Sequence, residues 1–148
     1  MLRTQTRWLC AVFMSILALP VSAEESSNLP VVVSKDQIRG SIFDGVEPTQ
    51  HADGHITTDV TSLLSSDKKF ASGMYRSGKT RIVVSEGYGV DEFMYFIEGG
   101  ITLTNQDGTK QIVRAGEAVS VPKEWKGVFE TDGYKKFWVI YSGDGSGL

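Results

Sequence analysis

From Thr57 to Tyr141 the chain carries no sustained helical repeat. Short segments that alternate apolar and polar residues succeed one another instead, with glycine-bearing turns between them at intervals of about 8 to 12 residues. Such a chain buries its apolar positions by pairing strands. The strand candidates are Thr57–Leu64, Phe70–Arg76, Thr80–Ser85, Glu92–Glu98, Ile101–Asn105, Gln111–Arg114, Ala118–Val121, Val128–Thr131 and Lys135–Tyr141. Asn105-Gln106-Asp107-Gly108 reads as the loop of a hairpin, and Gly99-Gly100, Gly116 and Asp132-Gly133 punctuate the other runs. The expectation is an all-β, antiparallel, single-domain sandwich or barrel over residues 57–141.

The segments outside that stretch read differently. Arg3 and Arg7 precede an apolar run from Trp8 to Leu19, and Val21-Ser22-Ala23 ends it with the small residues a signal peptidase requires, so residues 1–23 are expected to be an export signal. The run is shorter than the roughly 20 residues that span a bilayer. A periplasmic or secreted protein, with no membrane association after cleavage, is the expected product. Cys10, the only cysteine, lies within the signal, which leaves the exported chain without a thiol or disulfide. Residues 24–56 read as a linker followed by edge segments, at Val31–Val33 and Gln37–Phe43, and residues 142–148 as a flexible tail. With 15 Lys+Arg against 18 Asp+Glu and no long like-charged run, the chain lacks the footprint of a nucleic-acid binder.

One strand says more than its existence. Glu92-Phe-Met-Tyr-Phe-Ile-Glu98 is apolar at both parities in its middle, so both faces are expected to be covered. Glu92 and Glu98 share the parity of Met94 and Phe96. If that face points inward, Glu92 is a carboxylate inside or at the mouth of a barrel.

Glu92, six residues, Gly99, a hairpin and then Gly116-Glu-Ala-Val-Ser-Val-Pro122 together resemble the paired motifs of the cupin superfamily, whose fold is a small antiparallel jelly-roll barrel. The resemblance runs from about Phe70 to Ile140. In Asp91–Gly99, Gly116–Pro122, Trp125–Glu130 and Lys136–Ile140 it is nearest to the ureidoglycine-aminohydrolase-like cupins. That resemblance implies a metal held by an H-x-H pair, a Glu and a later His; these positions fall here on Glu86, Tyr88, Glu92 and Gly127. Only the glutamate is kept, so no metal cofactor is expected. A divalent ion reached by His51 or His55 across the barrel mouth is the alternative.

Without a metal, Glu92, Glu86 and Tyr88 form the candidate acid–base set, since carboxylates beside aromatic rings acquire raised pKa values and a tyrosine can share the proton. The bland reading of Glu86 and Tyr88 is a solvated strand end and a turn residue. Trp125, Lys126, Met94 and Phe96 are the candidate ligand-binding residues. Trp125, Phe129, Trp138 and Tyr141 form either a stacking platform or plain core. The preferred expectation is an exported cupin barrel that binds a small polar metabolite. The alternatives are an aminohydrolase- or epimerase-like enzyme acting on a ureido or amino compound or a sugar, and an interaction module that dimerises through the sheet face opposite the barrel.

Overall fold

The computed structural model describes residues 29–146 and 148, so the export signal read at residues 1–23 lies outside the described residues. Ahead of the barrel, Ser34 caps a short helix, α1 (Lys35–Arg39). Its hydroxyl accepts from the Gln37 amide at 3.2 Å, while the Gln37 side chain accepts from the Ser34 amide at 2.8 Å. Gly40 ends the helix and a 3-10 turn, Ser41–Phe43, buries Phe43. This corrects the edge strand expected at Gln37–Phe43. The reciprocal cap, with Asp36 in the first turn and Arg39 in the last, favours helix over the few β-formers present.

The strands are β1 (Thr49–Gln50), β2 (Ile56–Leu64), β3 (Phe70–Ser77), β4 (Thr80–Val84), β5 (Asp91–Asn105), β6 (Lys110–Arg114), β7 (Ala118–Val121), β8 (Gly127–Thr131) and β9 (Tyr134–Tyr141). All pair antiparallel, in the order β1-β2-β3-β9-β5-β8-β4, with β6 and β7 also on β5. The result is the expected all-β jelly-roll barrel, built as a single small domain. Most boundaries fall within a residue of those read from alternation, and the β5–β6 hairpin closes at Thr104 and Lys110 as its loop residues require.

The main departure is β5. Glu92–Glu98 and Ile101–Asn105 are one continuous strand of 15 residues, bent at Gly99-Gly100 rather than turned there. Its first half pairs with β9 and β7, its second with β6 and β8, so it passes from one sheet into the other. The bend needs both glycines: a Cβ on Gly99 would stand 2.0 Å from the Gly133 carbonyl, and one on Gly100 2.3 Å from that of Val113.

A β-bulge at Ile97 reverses the parity of the residues after it, since Phe96 pairs with Lys136 but Glu98 with Lys135. Glu92, Met94 and Phe96 face inward as expected; Glu98 does not. Met94 and Phe96 join Ile101, Leu103, Val113, Val121 and Phe129 in the core. The outer face is not covered as expected: Phe93 and Tyr95 are each 43% exposed, beside a shallow apolar groove shared with Val31, Val33 and Phe137.

Ser142 is buried, its amide donates to the Lys69 carbonyl at 2.8 Å, and its hydroxyl and the Ser146 amide both reach Asp144. Among the described residues no helix is long and apolar enough to cross a membrane.

Candidate functional site

Strand register lines up Asp59, Tyr75, Lys136 and Phe96 as one row across β2, β3, β9 and β5. Over this row lies a cavity of about 260 Å³, walled by Tyr75, Tyr134, Trp138, Glu92, Lys136 and Asp59 and further bounded by Tyr88 and His55. Glu92 and Lys136 are both buried, their side chains 6% and 7% exposed. Lys136 Nζ donates to Glu92 Oε1 at 2.5 Å, and the Tyr88 hydroxyl donates to Oε2 at 2.5 Å. Both carboxylate oxygens are thus held by a charged and a neutral donor. The ammonium also lies 5.4 Å from the Tyr75 ring centre and 5.7 Å from that of Tyr134. Burial pushes the Tyr88 phenol well above its ordinary range, and the Glu92 charge adds to the rise. Tyr75 and Tyr134 are raised chiefly by burial as well.

Asp59 stands at the open side. The Trp138 indole donates to its Oδ1 at 3.0 Å, crossing over β3 to do so. Gly73 makes the crossing sterically feasible: it pairs with Trp138 in register, and a Cβ there would sit 2.6 Å from the indole Cζ2 and 2.2 Å from the Val60 carbonyl. Although Asp59 keeps contact with solvent, the walls withdraw enough water to raise its carboxyl above the usual range.

The loop before β2 supplies a histidine. The His51 amide donates to the His55 carbonyl at 2.9 Å, closing the turn that Asp53-Gly54 announces. His55 Nδ1 donates to Asp53 Oδ1, the Thr80 hydroxyl donates to Oδ2 at 3.0 Å, and the His51 and His55 rings stack at 4.0 Å. The hydrogen bond from His55 is the main reason the Asp53 carboxyl falls to about 2. His55 Nε2 makes no hydrogen bond among the described residues.

Of the expected acid–base set, Glu92 and Tyr88 come together and Glu86 does not: it is exposed on the β4–β5 connection and forms no part of the wall. The expected ligand-binding residues are also elsewhere. Met94 and Phe96 are 0% exposed and sealed in the core. Trp125 packs edge-on to Tyr88, with its indole donating to Asn105 Oδ1 at 2.8 Å, and Lys126 lies outside the lining. Phe129 and Trp138 line the cavity, while Tyr141 is exposed on the outer face. Lys136, Asp59, Tyr75 and Tyr134 are wall residues that sequence reasoning missed. A signal for Lys136 was present, because a lysine doublet interrupts a strand otherwise rich in aromatic and β-branched residues. Among the described residues no three His, Cys, Asp or Glu side chains gather in a metal-binding arrangement.

Residues 66–136 match the family model of the EutQ-like cupin domain. Among solved structures, the EutQ protein of Clostridium difficile superposes with a TM-score of 0.51 at 23% identity, over 61% of this chain and 71% of that one. A protein of unknown function from Pseudomonas syringae gives a TM-score of 0.58 at 16% identity, over 64% of this chain and 43% of that one. A cupin-2 domain protein from Shewanella frigidimarina gives 0.52 at 17% identity, over 74% and 95%. No curated protein matches the sequence significantly. The shared element is the cupin fold.

Proposed function

We propose that this is an exported cupin-fold protein that binds a small polar metabolite in the cavity over Glu92 and Lys136. One observation carries the reading: a glutamate, a lysine and a tyrosine, hydrogen-bonded to one another, form the wall of a cavity of ligand size. Two charges taken out of water seldom add stability over apolar residues of the same volume, so their place in a cavity wall favours use in recognition. A transition-metal site is not part of the proposal. At the positions where the superfamily resemblance implies ligands, Glu86 is exposed, Tyr88 and Glu92 are bonded to each other, and Gly127 offers no donor.

The test is a thermal-shift screen of the purified protein against ureides, amino compounds and sugars, because a ligand of the native state raises the melting temperature by mass action. At least one compound is expected to shift the wild type and to lose its effect in Glu92→Gln. A screen in which every compound leaves the melting point unchanged overturns the reading.

The Asp53–His55 pair favours a second reading, an enzyme acting on a ureido or amino compound or a sugar. An imidazole whose Nδ1 is fixed by a carboxylate has Nε2 oriented for proton transfer at the same cavity. There Asp53 is a positioning residue, and His55→Gln abolishes turnover of a compound that still binds. The exposed Phe93 and Tyr95 support a homodimer through the outer sheet face, which Tyr95→Lys would dissociate in sedimentation.

A further inference from the structure

The groups on the cavity wall are not equally satisfied, and the imbalance has a direction. An ammonium has three N–H donors. Lys136 Nζ uses one of them, on Glu92 Oε1, and makes no other hydrogen bond among the described residues, although the residue is only 5% exposed. Its remaining N–H bonds meet aromatic faces and the cavity itself. Buried donors of this kind normally have partners. The wall therefore presents an open donor site for an oxygen acceptor.

Asp59 presents the opposite. Its side-chain donor is a neutral indole, and no cationic side chain forms an ion pair with it among the described residues. It lies two strands from Lys136 in the same row, at about 4.8 Å per strand step, so a small molecule can reach both. The rings of Tyr75, Tyr134 and Trp138 stand between and around the two groups, and aromatic faces favour a cation.

Charge decides what sort of acceptor is wanted. The wall holds two carboxylates, Asp59 and Glu92, and one ammonium, while His55 is hydrogen-bonded to Asp53. A ligand carboxylate at Lys136 would crowd Glu92, which already occupies that ammonium. A neutral oxygen meets no such repulsion, and a cationic nitrogen at Asp59 balances the charge that Lys136 leaves over. We infer that the cavity selects small organic cations in which a protonated amine, bound by Asp59 between aromatic rings, stands a few bonds from a neutral oxygen acceptor bound by Lys136. The inference rests on the reading of this cavity as a binding site and narrows its ligand class.

The test uses three matched series of small amino-acid derivatives in titration calorimetry and thermal shift. Amino-acid amides carry the cation and a neutral carbonyl, the free amino acids carry a carboxylate instead, and the N-acetyl amides lack the cation. The amides are expected to raise the melting temperature and to bind about tenfold or more tightly than either other series, the scale of a hydrogen bond to a charged group. Asp59→Asn, which keeps an acceptor for the Trp138 indole, is expected to weaken the amides by about tenfold and to leave the N-acetyl amides unchanged. Circular dichroism checks that the variant folds, and the wild-type ranking is decisive even if it does not. Equal or tighter binding of the free acids or the N-acetyl amides overturns the inference. So does a sugar or ureide that binds when no amide does, although that result leaves the cavity reading standing. If compounds of every class leave the protein unmoved, both fall together.

Discussion

Neighbouring residues on β9, Lys135 and Lys136, pair with two glutamates of β5, Glu98 and Glu92, each with an N–O distance of 2.5 Å. The pairs are chemically identical and physically opposite. Glu92 and Lys136 are 6% and 7% exposed, so neither has water to fall back on. Lys135 is as buried as its neighbour, but its ammonium also donates to the Arg39 carbonyl at 2.6 Å, and its partner Glu98 is 68% exposed. The outer pair ties the end of α1 to the sheet with charge that solvent still screens. The inner pair confines two charges to a cavity wall. Ion-pair distance alone therefore says little; what each partner would face if left alone separates a surface tie from a recognition element.

The sharpest way to break the comparison is to remove one member of the inner pair. Glu92→Ala leaves the Lys136 charge buried without a counterion and is expected to cost about 3–5 kcal/mol in urea unfolding, whereas the double variant Glu92→Leu/Lys136→Met, which orphans only the neutral Tyr88 hydroxyl, is expected to recover most of that loss. A double variant as damaged as the single one would show that packing, not stranded charge, is responsible. Next in size is Lys135→Met, expected to cost about 1 kcal/mol through the freed carbonyl of Arg39. Hydrogen exchange of residues 35–39 should rise with it while the cavity binds as before. Smaller still is Glu98→Gln, at about 0.5 kcal/mol, because Glu98 stands largely in water, the amide oxygen still accepts from Lys135, and that ammonium keeps the Arg39 carbonyl. Equal costs for Glu98→Gln and Glu92→Gln would erase the distinction.

The finest discrimination is by pH. Burial raises the Asp59 carboxyl in the folded chain, so the unfolded chain ionises first and the native state loses stability as pH climbs from about 4 through the raised native value. Asp59→Asn removes that loss. Its melting temperature is expected to match the wild type near pH 3 and to exceed it at pH 7, with Glu98→Gln showing no such crossover.

The same pairs mark where the sequence could be read and where it could not. Alternation located the strands and placed Glu92, Met94 and Phe96 on the inner face, because period two is a property of the pleat itself. It misplaced Glu98, since one unpaired residue at Ile97 reverses parity and leaves no mark in the residue types. Tyr88 and Glu92, grouped with Glu86 through the spacing of the cupin motif, do meet in the fold, while Glu86 stands apart. The lysine doublet marks Lys136 as unusual on its strand but does not name its partner, which is 44 residues away and is brought to it only by the β5–β9 register. The turn at His51–His55 was legible in Asp53-Gly54, yet those residues could not say that the turn delivers His55 to the cavity. Met94 and Phe96, expected beside a ligand, lie in the core, since alternation does not distinguish a cavity wall from a packed interior.

The placement of Trp138 has an optical consequence. Its indole crosses β3 over Gly73 and donates to the carboxylate at the cavity's open side, while the Trp125 indole donates to the neutral Asn105 and lies outside the lining. A change in charge at Asp59, by protonation or by an arriving molecule, alters the field on the Trp138 indole and, among the described residues, spares that of Trp125. The protein's own emission spectrum is therefore a label-free gauge of occupancy, with Trp125 as its internal reference.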